Sequence, residues 1–268
     1  MKKLGIIGCG NMGGAMLRKA LQAGLLPAEE VIAADHNEAL LLGLKKELGI
    51  SVTGDNRHAA AAECVLLAVK PQYIQDVAAE IAGHIAKDAL ILSIVTGKDL
   101  RVLGRLLGNE QAHIIRIMPN TPALVGEGVL AACRSPQVTQ QEWGFAQKLL
   151  SAMGMTEEVP ESLMDAITGV SGSAPAFAFL FLEALADAGV RGGLPRGMAQ
   201  RFAAQVLLGS AKLALETGRH PGELKDMVTS PAGTTIEGVA VLERHGFRFS
   251  VMDAVDAAIR RAKSFHEE

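Results

Sequence analysis

Two short stretches of this chain carry residue types at spacings that can do chemistry. The first, Gly8-Cys-Gly10-Asn-Met-Gly13, is a G-x-G-x-x-G loop between an apolar run and an amphipathic one. Gly8 permits a tight turn. Gly10 removes the side chain that would block backbone approach to a pyrophosphate, and Gly13 lets a helix pack closely on a strand. The free N–H groups and positive dipole end of the following helix then face the anion. Asp35 ends the next apolar run, about 20 residues on, where an acid bonds the adenosine ribose hydroxyls. That favours NAD, because a carboxylate repels the 2′-phosphate of NADP. Two alternatives stay open: His36 and Asn37 receive a phosphate if Asp35 points away, or Asp35 caps the next helix.

The second stretch is Asp226-Met-Val-Thr-Ser230-Pro-Ala-Gly233-Thr-Thr235-Ile-Glu237. Pro231 and Gly233 imply a sharp turn, and Thr234 and Thr235 open a helix. Three hydroxyls beside unpaired N–H groups at a helix N-terminus suit a carboxylate or phosphate. Capping accounts for one hydroxyl and leaves the others. Four further positions read two ways. Lys70 ends a strand on the ligand-binding edge, as a cation facing a cofactor or as a surface lysine before a turn proline. Asn56 caps a helix or touches the adenine ribose. Gly169-Val-Ser-Gly172-Ser-Ala-Pro175 carries Ser173 toward an active site, or lets two subunits meet closely. Cys9 is a nucleophile by position, but reads better as a small residue inside the phosphate loop. The chain lacks G-x-S-x-G and H-E-x-x-H, and its histidines are not at metal-ligand spacing. No metal is expected, and a metal-free hydride transfer fits best.

The elements that must position these residues follow from the hydrophobic pattern. Strands are expected at 4–7, 31–34, 65–69, 89–93 and 113–117, with helical segments between, among them 11–23 and 38–48. Near-continuous apolar strands separated by helices imply a doubly wound, mainly parallel sheet covered on both faces. Residues 128–133 are expected as an added edge strand, followed by a helix over 137–152. Beyond Pro160 only helices are expected: 161–168, 176–188, 198–216, 220–228, 234–244 and 249–265. The reading is therefore a dinucleotide-binding domain over residues 1–156 and an all-helical domain over residues 157–268. The helix at 176–188 is apolar on nearly every side, and 203–215 is similar. Such helices need burial all round, which points to a second copy of the chain.

Composition bounds the function classes. The chain has 268 residues, 49% of them hydrophobic, and a net charge of -3. No basic excess exists to grip nucleic acid or an anionic membrane. No apolar run reaches the ~18 residues of a membrane span. The apolar stretch after the first two lysines stops at Gly8, too short for a secretory signal. Three scattered cysteines suit a reducing cytosol and exclude a disulfide framework.

Taken with Ala68-Val-Lys-Pro71, Arg116-Ile-Met-Pro-Asn-Thr-Pro122 and the Gly169 to Pro175 loop, these motifs resemble pyrroline-5-carboxylate reductase over essentially the whole chain. The Ser230 to Glu237 segment is the most specific part. The resemblance implies a Rossmann domain followed by an all-α dimerisation domain. It implies NAD(P)H-dependent reduction of 1-pyrroline-5-carboxylate to L-proline, the last step of proline synthesis. It implies a homodimer, in some members a decamer, with NADPH as cofactor and NADH an open alternative; a cytoplasmic location is expected from the cysteine usage. Carried over, Thr235 would donate to the imine nitrogen, and Ser230 with the N–H groups of Gly233 and Thr234 would hold the substrate carboxylate. Glu161 would reach the substrate of a neighbouring subunit. Gly8, Cys9, Gly10, Asn11, Met12, Gly13, Asp35, Asn56, Ala68, Val69, Lys70 and the Ser93 to Gly97 turn would meet the cofactor. Two positions depart from the resemblance: Asp35, where many members carry Ser or Arg, and Val95-Thr-Gly97, where many read A-A-G. A hydroxyacid dehydrogenase is the rival within the class, but it would carry a lysine where Ala178 stands. A non-catalytic dinucleotide sensor is the rival outside it, and would need no second anion site.

Overall fold

Apolar runs of four residues become strands here because helices bury them from both sides. The structure, a computed structural model, describes residues 1–265. Its strands are β1 (Leu4–Ile7), β2 (Val31–Ala34), β3 (Ser51–Thr53), β4 (Cys64–Leu67), β5 (Leu90–Ser93), β6 (His113–Met118), β7 (Gly128–Arg134) and β8 (Gly154–Glu158). They form one sheet of order β3-β2-β1-β4-β5-β6-β7-β8. All neighbours run parallel except β6 and β7. The helices of this region are α1 (Asn11–Gln22), α2 (Glu38–Leu48), α3 (Asn56–Ala60), α4 (Ile74–Ile81), α5 (Leu100–Leu106) and α6 (Gln140–Ser151). Successive strand residues point to opposite faces. Ile6 joins a core with Met16, Leu17, Leu44 and Trp143 from α1, α2 and α6. Ile7 joins a second core with Ile74, Ile81 and Leu103 from α4 and α5.

Three expectations are corrected. Residues 128–133 do not form the edge: β7 lies inside the sheet, and β8 closes it. Neither β3 nor β8 was expected, because both are short or polar and neither contains a fully buried residue. The chain divides into compact units at 172/173, not 156/157, and the segment from Ala258 returns to the first unit. The reason is that β8 continues along the sheet past residue 156. Beyond it, Met164 packs with Ala131 and Cys133 of β7.

The second unit, Ser173–Ala257, is all helical. A continuous helical run leads from α7 (Met164–Ile167) through a π turn at Thr168–Ser173 into α8 (Ala174–Arg191). After it come α9 (Arg196–Thr217), α10 (Pro221–Met227), α11 (Thr234–Arg244) and α12 (Phe247–Ser264). Helices α8 and α9 meet through Ala186, Ala199 and Ala203, and Phe181 packs on Phe247 with ring centroids 5.7 Å apart. Much of the apolar surface stays open: Phe179, Leu180, Phe202, Val206, Leu208 and Leu215 are exposed. The run Glu161–Arg191, 31 residues, is long and apolar enough by length and composition to cross a membrane. That corrects the expectation of no such segment. Its apolar character is spread through Ala, Gly and Ser positions and interrupted by acids, so no unbroken apolar run marks it in the sequence.

Glycine marks where helices come closest. A Cβ built on Gly5 would lie 1.9 Å from the Ala59 carbonyl oxygen of α3. Gly43, on the exposed face of α2, has no neighbour within 4 Å of its Cβ position. Gly5→Ala should therefore destabilise by about 1–3 kcal/mol through overpacking, a loss of several degrees in Tm. Gly43→Ala should gain roughly 0.5–1 kcal/mol from helix propensity. Thermal unfolding of the two variants checks the opposite signs.

Candidate functional site

The glycine loop sits at the carboxyl edge of β1, between β2 and β4, where strand order reverses direction from the first strand. Gly8 has φ +93, a left-handed conformation, and its Cβ position lies 2.7 Å from the Ala68 carbonyl oxygen. A Cβ on Gly13 would sit 2.1 Å from the Gly8 carbonyl oxygen and 2.9 Å from Ala68 Cβ. Helix α1 thus starts in contact with both strands. Gly10 is its N-cap, with no side-chain cap and open space where a Cβ would be. The first N–H groups of α1 are left for an anion, as helix N-termini generally leave them.

A cleft of about 550 Å³ opens beside this loop, lined by Gly8, Gly10, Asp35, Asn56, Ala68, Val69 and Lys70 among the expected residues. His36, Gly54, Tyr73, Asp76 and Val77 also line it. Tyr73, Asp76 and Val77 follow the strand-ending Lys70-Pro71 in a turn and the start of α4, which carry no motif. Asn56 does not cap α3; Asp55 does, accepting from Arg57 N at 2.9 Å. The Asn56 amide instead donates to Glu80 Oε2 at 2.8 Å. Lys70 is exposed at the cleft. In the turn after β5, Val95 N donates to Ser93 Oγ, and Phe265 packs over Gly97, whose φ is +75. Cys9 is buried, and burial and then the Asp35 charge push its thiol up to about 12. A thiol so shifted is not ionised near neutrality, so Cys9 is no nucleophile.

Asp35 is engaged by its own chain. Its Oδ2 accepts from Cys9 N at 2.7 Å and its Oδ1 from Asn37 N at 2.9 Å. It does not cap α2, where Asn37 accepts from Leu40 N at 3.1 Å.

The second loop joins α10 to α11. The turn closes through Gly233 N donating to the Ser230 carbonyl at 3.1 Å. Ala232, not glycine, takes the left-handed conformation, at φ 55. Strain at a non-glycine residue of this kind gathers at functional sites. Gly233 has an ordinary φ of -82; what it supplies is space, since its Cβ position lies 2.3 Å from Ser230 Oγ. The Gly233 N–H, the expected carboxylate donor, is engaged within the turn here. Helix α11 begins at Thr234 with no side-chain cap. The capping alternative for the hydroxyls falls, and Ser230, Thr234 and Thr235 surround an uncapped helix start.

Two buried polar residues support the carboxyl end of β6. Asn120 accepts from Val129 N at 2.9 Å and donates to the Ser171 carbonyl at 3.1 Å, pinning the π turn. Arg116 donates to Glu161 Oε1 at 3.1 Å, and Leu100 N donates to the same oxygen at 2.8 Å. Glu161 thus ties β6 to the start of α5. Neither bond is visible from local spacing, because the partners lie far apart in sequence.

Residues 161–265 match the family described as "Pyrroline-5-carboxylate reductase dimerisation", and residues 3–97 match "NADP oxidoreductase coenzyme F420-dependent". The chain is 47% identical over 262 residues to the pyrroline-5-carboxylate reductase of Synechocystis sp., covering 97% of each. It is 41% identical to the Escherichia coli enzyme of that name, covering 98% of this chain and 97% of the other. The crystal structure of Plasmodium falciparum pyrroline carboxylate reductase with NADP bound superposes with a TM-score of 0.90 at 30% identity. It covers 99% of this chain and 98% of that one.

Because Gly10 is open where a Cβ would stand, Gly10→Ala should leave Tm nearly unchanged. It should weaken dinucleotide binding about tenfold or more by holding the pyrophosphate off the backbone. Fluorescence titration with NADPH beside thermal unfolding separates the two effects. Equal affinity in the variant would show that the loop is not the phosphate cradle.

Proposed function

The chain belongs to the pyrroline-5-carboxylate reductase family, NAD(P)H-dependent oxidoreductases of proline synthesis, and we propose how its own residues reduce 1-pyrroline-5-carboxylate to L-proline. The observation that carries the reading is the α10–α11 loop: an uncapped helix start beside three hydroxyls and a left-handed Ala232. The glycine loop and its cleft fit a dinucleotide, since any Cβ at Gly8 or Gly13 would close the turn that Gly10 leaves open. Gly8, Gly10, Asn56, Ala68, Val69 and Lys70 would hold that cofactor. When bound it supplies the hydride, which is chemistry of its own.

The substrate is a cyclic imine with a carboxylate on the ring. Thr234 N, Thr235 N and Ser230 Oγ hold the carboxylate at the positive end of α11. This anchor does not touch the reacting bond, so it fixes the ring equally in ground and transition states. Thr235 Oγ1 hydrogen-bonds the ring nitrogen and orients it for the proton it gains. The imine carbon gains the hydride, which requires an approach of about 3–3.5 Å. A neutral hydroxyl suffices because such imines protonate readily in water, so no strongly shifted acid is needed. A carboxylate has acceptor sites beyond the two donors on Glu161 Oε1. Through them Glu161 reaches the substrate bound to the neighbouring subunit.

The exposed apolar faces of α8 and α9 are too extensive for a lone soluble chain, and they lie within the matched dimerisation region. We assign them to a homodimer rather than to a bilayer, with dimers assembling further into a decamer, in the cytoplasm and without nucleic-acid partners. NADPH is the preferred cofactor, with NADH also accepted.

Oxidation of NADPH by pyrroline-5-carboxylate, and not by a keto acid, tests the activity against the hydroxyacid rival. Within it, Thr235→Val should lower kcat about 10–100-fold, whereas Thr235→Ser should retain most activity. Ser230→Ala removes uniform binding, so KM should rise with kcat nearly intact. Equal turnover of the Val and Ser variants at saturating substrate would remove Thr235 from the chemistry.

A further inference from the structure

The turn after β5 is fixed at both ends. Ile94 N donates to the Leu67 carbonyl at 3.0 Å, and Val95, 2% exposed, donates its N–H to Ser93 Oγ at 3.3 Å. On the far side Asp99 caps α5, accepting from Val102 N at 2.6 Å. Between these anchors lie Thr96 and Gly97, outside any strand or helix. Gly97 is buried, in a left-handed conformation at φ +75 that glycine adopts freely. Its cover comes from the other end of the chain. Phe265 follows α12, and a Cβ built on Gly97 would lie 2.5 Å from its Cβ and 3.3 Å from its Cγ. Phe265 is itself steadied: its N–H donates to the Ala262 carbonyl at 3.3 Å, and the Arg261 guanidinium lies over the ring, 4.3 Å from its centroid. The segment from Ala258 belongs to the first unit, so this contact lies inside it.

The ends of β2, β1, β4 and β5 are neighbours along one edge of a parallel sheet. Asp35 follows β2, the glycine loop follows β1, and Lys70 follows β4. A dinucleotide with its pyrophosphate on the glycine loop and its adenosine toward β2 sends its second nucleoside toward β4 and β5. We propose that Phe265 is a positioning residue for that second nucleoside: the end of α12 clamps the turn after β5 and holds ready the surface that meets the nicotinamide. This rests on the dinucleotide reading of the cleft. A turn held in place before the cofactor arrives adds no ordering cost to binding. Without Phe265, Thr96 and Gly97 are ordered by the cofactor itself, at a cost that glycine makes large because it has the most conformational freedom to lose. Phe265 acts through the turn, so its effect falls on the nicotinamide half of the cofactor and not on the adenosine half.

The intact protein is titrated with NADPH and with 2′,5′-ADP, the fragment that lacks the nicotinamide nucleoside. Phe265→Ala should weaken NADPH about three- to tenfold, the cost of ordering one or two more groups on binding, and leave 2′,5′-ADP unchanged. With protein in excess, the fluorescence anisotropy of bound NADPH reports the motion of the nicotinamide, and it should fall in the same variant. Phe265→Leu keeps an apolar cover over Gly97 and should restore most of both. Unchanged NADPH affinity and anisotropy in Phe265→Ala would show that the turn holds itself. Equal weakening of the two ligands, or a chain that no longer folds, would make Phe265 a general stabiliser of the unit. Either result overturns the clamp and leaves the dinucleotide cleft standing. Wild type that binds neither ligand would refute the cleft itself, and the clamp with it.

Discussion

The first unit depends on one contact that tolerates no side chain. Helix α1 begins against the Gly8 carbonyl and Ala68, at a distance where a Cβ on Gly13 would be 2.1 Å from a backbone oxygen. That contact brings the end of β1, the end of β4 and the start of α1 to one point. It aims unpaired N–H groups into a crevice beside β2, where doubly wound sheets bind ligands. Asp35 reinforces the point from β2 by accepting the Cys9 N–H. The other parts of the cleft, from Asn56 to Lys70, are set by where these strands end.

The α10–α11 loop solves a related problem differently. It too offers the start of a helix to an anion. Here the turn is made by Ala232 in a left-handed conformation, and the glycine beside it makes room for a hydroxyl. A phosphate loop must admit a bulky pyrophosphate to bare backbone, and therefore carries three glycines. A small carboxylate needs fewer open positions and more donors, in keeping with the proposed anchor of Ser230, Thr234 and Thr235 around a single Gly233. The exposed helices α8 and α9 belong to the same logic at a larger scale, since a surface left apolar is a surface held for another chain.

Much of this was legible because the relevant physics is local. Strands at Leu4–Ile7 and Val31–Ala34 and the helix at Thr234–Arg244 fall where the hydrophobic pattern puts them, since burial on two faces leaves an unbroken apolar run. The G-x-G-x-x-G spacing is local in the same sense. What stayed hidden depends on partners distant in sequence or on residues with no signature. Ser51–Thr53 and Gly154–Glu158 are strands only because β2 and β7 offer them free edges. The Asn120 bond to Ser171 crosses 51 residues. Ala232 gives no sign of its positive φ, and residue type marks Pro231 and Gly233 as the turn residues instead. The direction of the Asp35 carboxylate is set by a backbone N–H of the glycine loop, which residue type alone does not reveal.

The central claim is that this scaffold delivers a hydride to the imine carbon of a ring held by its carboxylate. The most direct measurement uses NADPH deuterated at C4 of the nicotinamide, in each stereochemical form, with 1-pyrroline-5-carboxylate and the purified protein. The account predicts L-proline carrying one deuterium at the ring carbon next to nitrogen and remote from the carboxylate, from one stereoisomer alone. Proline without deuterium from either form, or deuterium at any other carbon, would contradict it.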